Sequence, residues 1–203
     1  MIGLPTETEE DVEGIVRLVK QLRRLGKGGK PNIRVSVSTF IPKAHTPLQW
    51  VGQNSQAEIE SKCDILRRGL RSAKARLSWE NPQTSLLETV LSRGDRRLGA
   101  VIHDAWRLGA SFDAWDERFE FTNWLKAFDK AGLDPSFYAH RQRPLDEILP
   151  WSHIDLGISP DFLKAEYRYT SEGRITGNCQ VQCNACGLQA IYPACRMKYE
   201  GSV

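Results

Sequence analysis

The chain has 203 residues, enough for one large domain or two small ones with a buried core. Its apolar share of 40% and charged share of 26% are those of an ordinary globular protein, and a net charge of +3 is only weak evidence for a nucleic-acid partner. No apolar run approaches the roughly 20 residues of a membrane span, and the acidic N-terminus is unlike a secretory signal. These features predict a cytoplasmic protein with reduced thiols and no membrane partner.

Residues 1–50 predict a strand, a helix and a second strand. Residues 2–5 are typical of the end of a strand, and the apolar residues that follow recur at helical spacing, with Thr6 and Glu9 as a capping box. Residues 32–41 then alternate between apolar and polar side chains, as in a strand with one apolar face. The two strands should be parallel neighbours, and because two strands cannot complete a parallel sheet, we expect them to be the end of a larger sheet or barrel.

The rest of the sequence predicts mostly helix. Helices are expected at about 55–76, 83–92, 96–108, 116–131 and 159–172. A short extended piece is expected at 76–82, and residues 134–150 are irregular. Trp106, Trp115 and Trp124 recur every nine residues, which favours aromatic anchors packed in a helical core.

Three cysteines near the end of the chain have the spacing C-x3-C-x2-C: Cys179, Cys183 and Cys186. Thiolates this close can converge on one metal, and they are soft ligands suited to an iron–sulfur cluster or to zinc. Cys195 is the natural fourth ligand, unless an open iron binds a small molecule instead. A disulfide or reduced structural thiols are the alternatives. Cys63 stands alone on a predicted helix and is expected to be a packed thiol.

Several motifs carry a resemblance to radical SAM enzymes, which cleave S-adenosylmethionine (SAM) with a [4Fe–4S] cluster. Residues 1–12, "MIGLPTETEEDV", resemble the superfamily's strand that ends in Gly-x-Pro-x-x-Thr before acidic residues, and residues 35–50 resemble the next strand with its Pro-x-x-x-Thr-Pro loop. Residues 78–109 and 149–167 look like the C-terminal extension of the radical SAM proteins that carry an N-terminal cobalamin-binding domain. The resemblance extends to about Cys186.

The resemblance implies an α/β fold. Residues 1–50 would be the last strand–helix–strand of a partial radical SAM (β/α) barrel, residues 51–175 a mainly helical extension, and residues 176–203 a Cys-rich tail that binds a metal or cluster. In this superfamily the catalytic cysteines follow the first barrel strand, whereas here they lie at the end of the chain. The triad is therefore expected to be an auxiliary site, and the family favours an iron–sulfur cluster over zinc there.

The same resemblance implies residues near SAM, while no residue is assigned a catalytic role. The candidates lie on the turn after the first strand and on the polar face of the second strand: Gly3, Leu4, Pro5, Thr6, Thr8, Ser36 and Ser38. A helix N-terminus beside the turn favours an anion such as the methionine carboxylate, and Arg34 is a further candidate for an anionic group. The alternatives are an ordinary capped turn and an edge strand with a solvated face.

Two functions follow as expectations. The first is the C-terminal fragment of a radical SAM enzyme of unknown substrate, with cobalamin as a candidate second cofactor. The fragment is expected to be inactive alone, because the SAM-cleaving cluster and the rest of the barrel would lie outside this chain. Met1 would then be an internal methionine. The second is a stand-alone zinc-binding interaction module. Lys62, Arg67, Arg71 and Lys74 are spaced to share a helix face that could hold RNA phosphates, although such runs are usually solvated.

Overall fold

The computed structural model describes residues 1–26, 31–192 and 195, and these residues are mostly helical. The helices are α1 (Glu9–Leu25), α2 (Gln56–Ser72), α3 (Pro82–Arg93), α4 (Leu98–Arg107), α5 (Phe121–Lys130), α6 (Pro135–Ala139) and α7 (Pro160–Ser171). The strands are β1 (Arg34–Val37) and β2 (Arg76–Trp79), and a 3-10 turn spans Leu188–Ala190. The predicted α/β fold with a partial radical SAM barrel is wrong, because these two strands form the only sheet in the described residues and do not close a barrel.

The chain divides into two compact units. The first unit comprises Met1–Ile41 and Gly52–Arg141, and the second comprises Pro42–Val51 and Gln142–Val203. The first unit contains six of the helices and both strands, whereas the second contains α7 and the 3-10 turn. The predicted three-part division of the chain stays a prediction.

The sheet of the first unit is small because its strands are short. β1 and β2 are parallel, with Arg34 opposite Arg76 and Val37 opposite Trp79. The predicted first strand is reduced to one parallel bridge, in which the backbone of Ile2 bonds to residues 38 and 40 on either side of Thr39. One edge of the segment that contains β1 therefore pairs with the four-residue strand β2, and the other edge forms only the bridge to Ile2.

α1 begins two residues later than the predicted capping box. Thr8, rather than Thr6, is the N-cap, and its hydroxyl accepts from the backbone N–H of Asp11 while the Asp11 carboxylate accepts from the backbone N–H of Thr8. The backbone N–H of Thr8, and then its hydroxyl, donate to the Asp11 carboxylate and hold the pKa of Asp11 below its usual range. The prediction of Thr6 and Glu9 as the capping box is therefore wrong, because the turn before the helix extends to residue 7.

One hydrophobic core of the first unit joins α1 and α2 to one face of the sheet. Its buried members lie at helical spacing on the two helices and at alternate positions on β1: Ile2, Val12, Val16, Val19, Val37, Ile59, Cys63, Leu66, Leu70 and Ala73. Gly69 is needed where the helices cross, because a Cβ there would lie 2.6 Å from a methyl carbon of Val16. Burial of apolar area at about 25 cal/mol per Å² is the main stabilising term for this layer.

A second core of the same unit forms between α3, α4, α5 and α6, and a buried arginine fastens it. The Arg93 side chain is fully buried, and its guanidinium donates to the backbone carbonyl oxygens of Tyr138, Ala139 and Arg141 at 2.7 to 2.8 Å. Carbonyl oxygens at the end of α6 have no partner within the helix, and Arg93 supplies donors to them, while the Ala139 oxygen also accepts from the backbone N–H of Gln53.

The tryptophan spacing is misleading. Trp124 is buried as predicted, with 7% of its surface exposed, and its indole N–H donates to Asp113 at 3.1 Å. Trp106 and Trp115 are 64% and 63% exposed, so the prediction that they are core anchors is wrong. α5 begins at Phe121 rather than near residue 116, because residues 109–120 form turns, and this loop carries Trp115 outward.

The second unit has a small aromatic core. Trp50, Leu149, Trp151 and Leu163 are buried together, and the Trp50 ring meets Tyr167 edge to face at a centroid distance of 6.0 Å. These contacts hold together two segments that are far apart in the sequence. Trp50 belongs to the loop after β1, and the other residues belong to the segment 142–167.

No helix in the described part of the chain has both the length and the apolar character needed to cross a membrane.

Candidate functional site

The turn predicted to lie near SAM is closed by the protein's own carboxylate. Gly3 has a positive φ of 88°, and its backbone N–H donates to both oxygens of Glu7 at 3.0 and 3.1 Å. Lys62 forms an ion pair with Glu7 at 2.8 Å and a hydrogen bond to Asn54 at 3.0 Å. The Glu7 side chain is only 7% exposed, so the pair is well shielded from water. An external anion at Gly3 would therefore have to displace Glu7.

The other predicted residues of this turn lie at the surface. Leu4, Pro5 and Thr6 are exposed, and Thr8 is engaged in the cap of α1. Their role near SAM stays a prediction, since the described residues show a capped, internally bonded turn rather than an open cleft at this point.

Ser36 lies on the exposed face of β1 together with Arg34, and Ser38, one residue beyond the end of the strand, is exposed as well. The opposite face of the strand carries Val37 into the core beneath. The alternation predicted from the sequence is therefore confirmed for this strand, whereas the role of the serines as SAM contacts stays a prediction.

The predicted metal ligands are free thiols on the second unit. Cys179 and Cys183 are exposed and Cys186 and Cys195 are half-buried, with no disulfide among them. The Cys183 thiol donates to the Gln189 side chain at 3.3 Å. Nowhere in residues 1–26, 31–192 and 195 do three or more His, Cys, Asp or Glu side chains form a group arranged to hold a metal ion. The donors thus suit a soft metal in chemical type and access, but they are not preassembled.

The cysteine segment is attached to the start of α7. The backbone N–H of Ser159 donates to the carbonyl of Cys186 at 2.8 Å. Gly187 has φ of 101°, and a Cβ there would lie 2.6 Å from the carbonyl oxygen of Gly157. Gly157 also has a positive φ, and a Cβ on it would overlap Ile191. Only glycine allows these two stretches of backbone to approach so closely, so the position of Cys186 is set by tertiary contacts.

A cavity of about 450 Å³ lies in the second unit, and the same stretch before α7 forms part of its wall. Aromatic and aliphatic side chains line most of it, with polar and charged groups between them: His45, Gln49, Trp50, Leu145, Asp146, Glu147, Ile148, Leu149, Trp151, Ser152, Ile154, Asp155, Leu156, Ile158, Pro160, Leu163 and Lys164. Its size is that of a small-molecule site.

The loop after β1 is fixed at this cavity by Gln49. Its buried side-chain oxygen accepts from the Trp151 indole N–H at 2.7 Å and from the backbone N–H of His45 at 3.0 Å. His45 has a positive φ of 56°, a conformation that costs free energy in a residue other than glycine. The buried indole N–H of Trp50 has no acceptor within the described residues. Sequence reasoning missed this cavity, because its residues come from segments about a hundred positions apart.

The predicted basic face of α2 is partly consumed by contacts within the protein. Lys62 is held by Glu7, while Arg67 pairs with Asp64 and stacks over Trp79 with its guanidinium carbon 4.8 Å from the ring centre. Two of the four predicted cations therefore have internal partners. Cys63 is a buried thiol of the same helix, as predicted, and burial raises its pKa.

Comparison with known proteins gives one informative match. No protein-family model matches the chain, and no solved structure matches it. MJ0966, an uncharacterized protein of Methanocaldococcus jannaschii, is similar to the chain, with 29% identity over 102 residues. The match covers 50% of this chain and 22% of the relative, so it spans about a fifth of that protein's length.

Proposed function

We propose that residues 179–195 hold an iron–sulfur cluster or a related thiolate-bound metal, as an auxiliary site in the C-terminal part of a cytoplasmic radical SAM enzyme. The ligands would be Cys179, Cys183 and Cys186, with Cys195 as the fourth. The observation that carries this proposal is the combination of free thiols with an anchored backbone: Cys186 is bonded to Ser159, whose chain neighbours Ile158 and Pro160 line a ligand-sized cavity.

The protein's own groups would do two things at such a site. The Ser159 N–H and the close approach of Gly157 to Gly187 fix one end of the cysteine segment, which leaves the exposed thiols of Cys179 and Cys183 to close around a metal. Metal binding that orders its own ligands is common where no preformed site exists. A bound cluster would supply redox-active iron at the cysteine segment. The cluster that cleaves SAM would belong to a part of the enzyme outside this chain. Cobalamin would be a second cofactor of the same enzyme.

A second candidate function is a stand-alone zinc-binding interaction module. It is favoured by the burial of the strand residues within the first unit, where Ile2 is 1% exposed and Val37 5% exposed in a core formed with α1 and α2. A fragment cut from a larger sheet would expose apolar side chains on these strands. RNA is a weaker partner in this alternative, because Lys62 and Arg67 already have carboxylate partners.

Metal content separates the two candidates. The chain, purified without oxygen, should carry iron and sulfide with broad visible absorption if it is the enzyme fragment, and stoichiometric zinc without colour if it is the module. Replacing Cys179, Cys183 and Cys186 together by alanine should abolish the metal, and Cys63→Ala, which removes a buried thiol elsewhere, should retain it. A metal-free wild-type chain, or full metal content in the triple variant, would contradict both candidates.

The enzyme assignment has its own tests. The chain alone should produce no 5′-deoxyadenosine from SAM under reducing conditions, and detection of that product would show that the catalytic cluster is not elsewhere. An antibody raised to this chain should detect a polypeptide far larger than 23.0 kDa in the source cells. A native band at the mass of this chain would favour the module.

A further inference from the structure

The face of the β1–β2 sheet that points away from α1 and α2 is bare and polar. Arg34 and Ser36 of β1 and Arg76 and Ser78 of β2 are all exposed, while their neighbours Val35 and Leu77 pack against the core on the other face. Parallel sheets are normally covered on both faces, so a bare face on this sheet needs an explanation. Its composition, rather than its exposure alone, indicates what it meets.

Two arginines stand side by side on this face. Arg34 and Arg76 are directly opposite in the parallel register, on strands that lie about 4.8 Å apart. Like charges in opposite positions are destabilising. No carboxylate forms an ion pair or hydrogen bond with either guanidinium in the described residues. The pair therefore lacks the compensation that other arginines of the chain have, such as Arg97 with Asp95 at 2.7 Å.

The rest of the face defines the size and charge of a suitable ligand. Ser36 and Ser78 are the next exposed register pair, and they offer hydroxyl groups that donate and accept. Ser38 and Glu80 follow on their strands, so the far end of the face is hydroxylic and acidic. A polyanion that extended along the strands would be repelled by Glu80. A compact anion at the arginine end, joined to a neutral hydroxyl-bearing body, meets no such repulsion.

We propose that this face binds a small phosphate monoester, with the phosphate held between Arg34 and Arg76 and the hydroxyl groups of its organic part bonded to Ser36 and Ser78. Two guanidinium groups match the two negative charges of a monoester, and arginine bonds phosphate oxygens in a forked geometry. The ligand in turn offsets the repulsion between the two arginines. The inference concerns a different surface from the cysteine segment and does not require a metal there.

Binding can be measured on the 203-residue chain with ribose 5-phosphate as the probe, by ligand-observed NMR titration at low ionic strength. Ribose 5-phosphate should bind and ribose should not, and inorganic phosphate should compete. Arg34→Gln and Arg76→Gln should each weaken binding about tenfold, since hydrogen bonds to charged groups are lost. Arg107→Gln changes an exposed arginine on α4 and should leave the affinity unchanged.

Thermal unfolding keeps the result interpretable. Without ligand, Arg34→Gln and Arg76→Gln should melt at the wild-type temperature or above it, because each removes a like-charge contact. Lost binding in a variant that melts normally would support the site. Three results would overturn it: equal affinity in wild type and both variants, equal binding of ribose and ribose 5-phosphate, or tighter binding of a short single-stranded RNA than of the monoester through the same arginines.

Discussion

The two units of the chain form their hydrophobic cores in different ways. The first unit fills its interior with side chains from regular elements, in two clusters that include residues with no exposed surface such as Leu66, Val90 and Val101. In the described part of the second unit, one cluster of four buried side chains, two of them tryptophan, lies beside a cavity of about 450 Å³. Dense cores supply stability, and unfilled volume beside aromatic walls supplies binding. Cavities of about 460 and 420 Å³ also lie in the first unit, so the two units differ in how their cores are built rather than in which of them has room for a ligand.

The largest effect is expected from the buried arginine of the first unit. Arg93→Met keeps much of the side-chain volume but removes the guanidinium that donates to the carbonyl oxygens of Tyr138 and Arg141, while the Ala139 oxygen keeps the backbone N–H of Gln53. Each buried polar group that loses its partner costs about 1–3 kcal/mol, so for two such carbonyls we expect a loss of about 4 kcal/mol in the free energy of unfolding. Guanidinium denaturation measures it, with the exposed Arg107→Met as control. A loss below about 1 kcal/mol would mean that water satisfies these carbonyls.

An intermediate effect should distinguish the two cores directly. Leu66→Ala removes a fully buried side chain from the first unit and should cost about 3 kcal/mol. Leu149→Ala acts on a leucine that lines the cavity of the second unit, where fewer neighbours surround it, and should cost less, about 2 kcal/mol. Urea denaturation of both variants gives the comparison. A larger loss for Leu149→Ala would show that the second unit is as tightly packed as the first.

The smallest effect concerns one helix end of the first unit. Ser55 caps α2, and hydrogen bonds from its hydroxyl and backbone N–H hold the pKa of Glu58 below its usual range. This stabilisation is present at neutral pH and is lost as the pH falls through the lowered pKa. Ser55→Ala should therefore cost about 1 kcal/mol near pH 7 and less below about pH 4.

The pH dependence of unfolding checks this prediction, with Ser111→Ala as a control because Ser111 lies in an exposed loop. The control should follow the wild type at every pH. If Ser55→Ala differs from wild type by the same amount at neutral and acid pH, the cap contributes without its carboxylate.

Local features of the sequence predicted the helices well. α1, α2, α3, α4 and α7 lie within a few residues of their expected positions, because apolar spacing and capping residues act over three or four positions. The extent of the sheet was overestimated, because strand pairing depends on neighbours that are distant in the sequence. Residues 2–5 have a strand-like sequence, yet only Ile2 bridges to β1, since a strand extends only as far as a neighbour is available.

The candidate sites show the same limit. The cysteine spacing was visible in the sequence. The hydrogen bond between Ser159 and Cys186 was not, because it joins residues that are 27 positions apart in the chain. The sequence singled out the turn at Gly3 as a place where an external anion could meet backbone N–H groups, and that role stays a prediction. The partner that occupies it, Glu7, was not identified, because its burial depends on Lys62 of another helix.

The sequence by itself determined most of the helical segments, which face of β1 is polar and which thiols stand close enough along the chain to share a metal, whereas it missed α6 and the start of α5. These properties depend on neighbours a few residues away. Tertiary structure alone decided that Trp106 and Trp115 are exposed, that Arg34 faces Arg76, and that the loop after β1 meets Trp151 around a cavity. The physical reason is that burial, charge pairing and enclosed volume belong to pairs of distant residues, and packing brings those pairs together.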